Sequence, residues 1–327
     1  LGDRCLDYLA RRADVNGLVR LVEYKQWHIG EGADWVDWYP TRMEGKTLMF
    51  HQWYVRALRR LAALHTEFAG GAGRADRAAA YRERADLVVD AIRRLYWRED
   101  HFVTNIDYRG KVADEAWLDD QVWAIRFGVA TPEQAARIWE WIDADAGRFE
   151  GVPMRWAAFE GPTHGPLSWF GRNGAGDILA RYRTGNADRG LALIRRISWI
   201  FSRDENVYEA YNMAGEVVPG TQGWGNYTEH CGGLIWSVAE GIFGLRFESD
   251  GEAVASLEPA LPRDWSGASI DFYIRGARYH LEHSSVPAGR RLLVSATGTA
   301  QPVRIRLPGK EASVHLIGAE TPVDLIY

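Results

Sequence analysis

Apolar positions recur at three- and four-residue steps along the first three quarters of the chain and alternate singly in the last quarter. Between residues 45 and 68, Phe50, Trp53, Tyr54, Ala57, Leu58 and Leu61 trace the stripe of an amphipathic helix. The same spacing predicts helices at about 3–13, 74–97, 115–128, 132–145, 171–184, 187–202 and 227–245. The helix at 132–145 is announced by Thr131-Pro132-Glu133-Gln134, in which Thr131 can cap, Pro132 fits the first turn and Gln134 can reach back to close a capping box. Connections at 69–73, 129–131 and 185–186 are tight, whereas those at 14–44, 98–114, 146–170 and 203–226 are long and rich in aromatic and polar residues.

Tight connections make antiparallel hairpins. Four hairpins with short loops at one end and long loops at the other describe a helical barrel or toroid, because neighbouring pairs bury their stripes on one another around a common axis. The long loops then gather on one face, the default place for a ligand. A plain helical bundle with ornamental loops is the competing reading, and regular alternation argues against it. After Leu245 the period changes to two. Residues 269–274 lead through Arg275-Gly276-Ala277 into 278–283, a hairpin signature, and further strands are expected at 291–296, 303–307 and 314–317. The organisation expected is a mainly α unit over 1–245 followed by a small antiparallel β-sandwich over 246–327.

Composition narrows the classes. The 327 residues are 46% hydrophobic and 25% charged, enough to bury a large core. Lys+Arg 39 against Asp+Glu 44 gives a net charge of -5 with the basic residues dispersed along the sequence, which argues against a nucleic-acid partner. No apolar run reaches the roughly 18 residues of a membrane span, and Leu1-Gly2-Asp3-Arg4 resembles neither an initiator Met nor a signal peptide. Two cysteines, Cys5 and Cys231, exclude a disulfide scaffold but leave one bridge or two free thiols open, and the compartment undecided. Metal-ligand spacing, a phosphate-cradling glycine loop and a Gly-x-Ser-x-Gly elbow are absent from the sequence, so it gives no reason to expect a metal or cofactor. The 15 Trp, 14 Tyr and 11 Phe either fill a core or line a surface for flat ligands.

Two long loops carry the candidate chemistry. The first contains His28, Asp34, Trp35, Asp37 and Trp38. Carboxylates interleaved with indoles make poor core material but suit a sugar, whose C–H faces stack on Trp while Asp accepts hydrogen bonds from neighbouring hydroxyls. Capping of the following helix, or pairing with Arg42, is the plainer role for Asp34 and Asp37. In the last long loop Glu209 lies between Tyr208 and Tyr211, an apolar wall that would orient a base. Beyond it, Trp224 precedes His230, which is either a ligand contact or a hydrogen-bonded core histidine. Trp117, Trp156, Trp169 and Arg172 suit a binding wall, whereas Asp119 and Asp120 fit the first turn of a helix through its dipole alone.

Gly32-Ala33-Asp34-Trp35-Val36-Asp37-Trp38, Asn206-Val207-Tyr208-Glu209-Ala210-Tyr211-Asn212, the run from Leu234 to Ile242 and Leu257-Glu258-Pro259-Ala260-Leu261-Pro262-Arg263-Asp264-Trp265 resemble bacterial α-L-rhamnosidases and their six-hairpin glycosidase relatives. The resemblance spans nearly the whole chain with loose motifs. It implies an (α/α)6 barrel, incomplete here at about eight helices of twelve, and hydrolysis of an oligosaccharide or glycoside with inversion. A missing N-terminal segment or another chain would then cover the open edge. The resemblance makes Glu209 the general base, with Tyr208 and Ala210 departing from the flanking Trp and Arg of that family. The family's acid-bearing loop has no counterpart in this chain. Inverting α-glucosidases of the processing and debranching type are also similar; they place the acid at Asp37 or Asp34. A sugar epimerase, a polysaccharide lyase working through His28, His230 or Tyr227, or an inactive carbohydrate-binding module are the rival readings.

Overall fold

A computed structural model describes residues 2–20, 45–68, 72–107, 109–113, 118–146, 171–208, 211, 215–217, 228–247, 253–262 and 264–327. Eight α-helices appear among them: α1 (Gly2–Arg11), α2 (Leu48–Glu67), α3 (Ala72–Leu95), α4 (Leu118–Arg126), α5 (Pro132–Ala146), α6 (Gly171–Arg183), α7 (Ala187–Asp204) and α8 (Thr228–Trp236). Helix α8 runs on into a π-helical turn, Ser237–Ile242, so the single helix expected at 227–245 changes its winding after Trp236. The capping box forms as the sequence predicts, with the Thr131 N–H donating to Gln134 Oε1 at 3.0 Å and the Gln134 N–H donating to Thr131 Oγ1 at 3.2 Å.

Burial separates two kinds of helix. Outer helices carry one apolar stripe: in α3 the buried positions are Ala78, Tyr81, Ala85, Val88, Val89, Ala91 and Ile92, and the opposite face is charged. All nine residues of α4 are buried, and α2 is buried well beyond its stripe, at Leu48, Met49, His51, Gln52 and Val55 as well. Helices hydrophobic or buried all round lie inside a fold. Packing agrees, because α2 touches α4, α4 touches α6, and α6 touches α8, while α3 packs on α2 and α7 on α6. Glycine permits the tightest of these approaches: a Cβ on Gly190 or Gly241 would sit 2.8 Å from the Tyr182 ring.

Hydrogen bonds show that the inner helices run parallel. Gln52, near the start of α2, donates to the carbonyl of Asp120 near the start of α4 (2.6 Å), and Arg59, further along α2, donates to the carbonyl of Phe127 just past the end of α4 (2.6 Å). Arg126 at the end of α4 pairs with Glu240 beyond the end of α8, and Trp123 stacks near Trp236 at 6.1 Å between centroids. Every long connection therefore feeds the N-terminal end of an inner helix, and every short one turns at the C-terminal end.

Ten strands complete the fold among the described residues. Three two-residue strands, β1 (Lys46–Thr47), β2 (Asn105–Ile106) and β3 (Val112–Ala113), make a small antiparallel sheet; β1 replaces the first residues of the helix expected at 45–68, whereas β2 and β3 fall in the loop expected at 98–114, and strands so short leave no periodicity to read. The C-terminal strands are β4 (Ala255–Leu257), β5 (Gly267–Ile274), β6 (Ala277–Val286), β7 (Gly289–Ala296), β8 (Gln301–Ile305), β9 (Ser313–Ile317) and β10 (Val323–Ile326). Between β5 and β6 the chain reverses in two residues, Arg275 and Gly276 at φ 48° and 84°, the primed turn that suits a right-twisted hairpin. One sheet has the order β10-β7-β6-β5 and is antiparallel throughout; the other has the order β4-β8-β9.

The all-antiparallel expectation needs correction in that second sheet, where β4 pairs with β8 in parallel. The intervening chain first builds β5, β6 and β7 in the other sheet, which gives the long crossover a parallel pair requires. A core cluster joins Ile178, Ile194 and Ile197 of α6 and α7 to Leu257, Leu281, Val294, Val303 and Ile317 of the strands; another holds α1 to α5 together around Leu58, Ile92, Trp123 and Ile138. Both cysteines are free thiols.

Candidate functional site

The rim at the N-terminal ends of α2, α4 and α8 is built from buried polar side chains. In the first turn of α2, His51 is fully buried; its Nε2 accepts the Val19 N–H at 2.8 Å and its Nδ1–H donates to the Thr47 carbonyl at 2.5 Å. Both ring nitrogens are used by the neutral form, and burial pushes the imidazole down to about 4. Val19 lies one residue before the end of the described stretch that precedes the acidic Trp segment. On the far side of that segment Gly45, at φ 95°, lies so close to β2 that a Cβ there would come within 2.4 Å of the Ile106 carbonyl oxygen. Lys46 Nζ reaches Asp14 at 2.6 Å, and the Tyr96 hydroxyl donates to the Lys46 carbonyl at 2.8 Å. Asp14 also accepts the N–H groups of Asn16 and Leu18. Burial opposes its ionisation, but these partners hold its carboxyl below the ordinary carboxylate range. Segment 21–44 thus leaves from, and returns to, the start of α2.

The second long connection is fastened likewise to the start of α4. Gln121 exchanges two hydrogen bonds with the backbone of Phe102, both 2.8 Å, and the Leu48 N–H donates to the Thr104 carbonyl at 2.9 Å. Asp119 and Asp120, expected to serve only the helix dipole, are 5% and 0% exposed, so they belong to the interior of the rim. With Gln52, whose Oε1 is buried without a hydrogen-bond partner, they place acceptors there that the sequence pattern had not suggested. The available signal was three consecutive polar residues, Asp119-Asp120-Gln121, at the head of a helix otherwise apolar enough for an interior.

The last long connection is anchored to the end of α7. Tyr211 is fully buried, its ring lies 6.1 Å from Phe201 and 6.3 Å from Tyr208, and its hydroxyl accepts the Tyr208 N–H at 2.9 Å. Burial pushes that hydroxyl up to about 12. Arg203 donates to the Gly215 carbonyl at 2.6 Å, and a short antiparallel bridge joins Tyr211 to Val217. His230 is buried in the first turn of α8, where the helical spacing puts it. Arg172 falls in the first turn of α6. The remaining candidates, His28, Asp34, Trp35, Asp37, Trp38, Trp117, Trp156, Trp169, Glu209 and Trp224, lie outside the described residues. No group of three or more metal-ligating side chains and no helix long and apolar enough to cross a membrane occurs among the described residues.

Inner and outer helices alternating along the chain, followed by two packed sheets, define a fold shared with carbohydrate-active enzymes. Among solved structures, the chain is similar to a GH78 family rhamnosidase of Bacillus sp. GL1, at a TM-score of 0.63 and 20% identity, over 97% of this chain and 31% of that one. It also matches a Streptomyces avermitilis α-L-rhamnosidase complexed with L-rhamnose (TM-score 0.56, 13% identity, 93% and 26% of the two chains) and a protein named sialidase (0.68, 14%, 90% and 29%). A curated relative, cellobionic acid phosphorylase of Neurospora crassa, is 24% identical over 322 residues, covering 85% of this chain and 38% of its own. The chain spans about a third of the length of these proteins. No protein-family model matches it.

Proposed function

We propose that the chain carries the base-bearing part of an inverting glycoside hydrolase of the rhamnosidase type. The observation that supports this most is the common N-terminal rim of parallel inner helices, to which the flanks of both candidate loops are fastened. In sequence Glu209 follows Tyr208, whose N–H is held by the buried Tyr211 hydroxyl. In this reading Glu209 deprotonates a water, and Asp37 or else Asp34 protonates the departing glycosidic oxygen. The carboxyls of such a pair stand roughly 6.5–9.5 Å apart to admit the water. Trp35 and Trp38 would raise the acid's pKa by desolvation. The acid can equally come from a further segment or another chain, which would also cover Ile235 on α8, 70% exposed. Residues 1–245 form the catalytic unit and 246–327 the sandwich in this proposal, and the substrate is an oligosaccharide or glycoside.

The likeness to cellobionic acid phosphorylase favours one second reading, phosphorolysis. There inorganic phosphate attacks the anomeric carbon in place of water, the sugar leaves as its phosphate ester, and a general base is not needed. Hydrolysis predicts that Glu209→Gln abolishes turnover of aryl α-L-rhamnosides while sugar binding by calorimetry is nearly intact, and that added phosphate changes nothing. Unchanged turnover in Glu209→Gln rejects the base assignment; turnover that requires phosphate establishes the second reading.

A further inference from the structure

The opposite end of the helices holds a cleft of about 440 Å³ between the C-terminal half of α2 and strands β4 and β8. Arg56, Arg59 and Arg60 line it from α2, with Arg126 and Arg183 at the ends of α4 and α6. From the other wall come Arg246, Arg304 and Arg306. These eight arginines are scattered from position 56 to 306, which is why the sequence shows no basic run although the fold assembles one.

Structural duties account for part of this charge. Arg59 and Arg60 each donate to a backbone carbonyl, of Phe127 and Phe247, and cations suit helix C-terminal ends. Glu240 pairs with Arg126 and Arg246, and Glu258 with Arg246 and Arg306. Asp86 lies near Arg59. Among the described residues that line the cleft are eight arginines and one carboxylate, Glu258, and Arg56, Arg60, Arg183 and Arg304 make further interactions of their own. Arg126, 4% exposed, keeps a buried Nε–H with no hydrogen-bond partner. Like charges held together in a concave, partly desolvated place raise the local concentration of anions and favour a ligand that supplies several acceptors at once.

We infer that this cleft is a binding site for a small phosphorylated molecule carrying at least two negative charges, distinct from the sugar site at the other end of the helices. Planar guanidinium forks match phosphate oxygens two at a time, and the volume exceeds that of a lone phosphate and falls within the range of small-molecule pockets. The inference does not depend on the glycosidase reading.

The test is calorimetric titration of the full chain with sodium pyrophosphate at low ionic strength. One saturable site is expected, weakened by added salt, with the melting temperature rising by several degrees at about a hundredfold excess over Kd. Arg56→Gln/Arg306→Gln, two positions that leave the Arg126–Glu240 pair in place, should weaken binding at least tenfold with an unchanged circular dichroism spectrum. Glu209→Gln should bind as the wild type does. Absence of saturation below about 10 mM, equal affinity in the double variant, or loss of binding in Glu209→Gln instead would each overturn the assignment.

Discussion

Acid should loosen the rim through His51. In the folded chain its two nitrogens are committed to Val19 and Thr47 in the neutral form, and burial lowers its pKa from 6.5 to about 4. The unfolded chain therefore binds more protons between those two values, so stability is complete above pH 6.5 and declines as the pH falls toward 4. At about 1.4 kcal/mol for each pH unit separating the folded and unfolded pKa values, the full decline is about 3 kcal/mol, a substantial share of the ~5–15 kcal/mol that holds a typical protein folded. His283, lowered to about 4 by burial and then by Arg290, adds to the slope in the same window, so the wild-type curve alone does not isolate His51. Urea unfolding of wild type and His51→Gln at half-unit steps from pH 7.5 to 4 does. The variant is less stable at pH 7, having lost the Val19 contact, but its stability should fall less steeply, by about 1 kcal/mol per pH unit. Parallel curves for the two proteins would refute the claim that a neutral His51 fastens the entry to segment 21–44.

Other perturbations probe the same frame. Gly45→Ala meets the Ile106 carbonyl at 2.4 Å at a positive φ, and should cost about 2 kcal/mol or more by thermal unfolding and lower turnover through the adjoining segment. Gly244→Ala, with a Cβ 2.1 Å from the Glu258 backbone at φ 64°, should be destabilised at least as much while leaving sugar binding alone once folded. Tyr211→Phe removes the acceptor of the Tyr208 N–H; about 1–2 kcal/mol of stability should be lost, and kcat should fall more than KM rises. Glu240→Ala strips Arg126 of its buried partner and should cost about 3–5 kcal/mol, measured by denaturant unfolding.

Much of the architecture was readable because inner and outer helices leave different marks. Outer α3 shows a clean apolar stripe, the 131–134 capping box marks the start of α5, and Arg275-Gly276 fixes a hairpin turn through its positive φ. These are local signals, written within one turn of structure. What escaped the sequence depends on contacts far apart in it. Strands β1 to β3 have two residues each and exist because positions 46–47 and 105–106 are brought together. The β4–β8 pairing is parallel because a whole sheet is built between its partners. Asp120 looked like an ordinary helix-start acid until Gln52, 68 positions away, closed over its carbonyl. The basic cleft illustrates the same point, since dispersal in sequence says little about dispersal in space.

In the proposed function the acidic Trp segment and Glu209 meet over one sugar at the N-terminal ends of the inner helices. A crystal structure of the Glu209→Gln variant with a bound rhamnoside tests it most directly. The sugar ring is expected against the starts of α2, α4, α6 and α8, with residues 34–38 on one side and position 209 on the other. A sugar seated at the C-terminal end of those helices, or the two segments at opposite ends of the molecule, would contradict it.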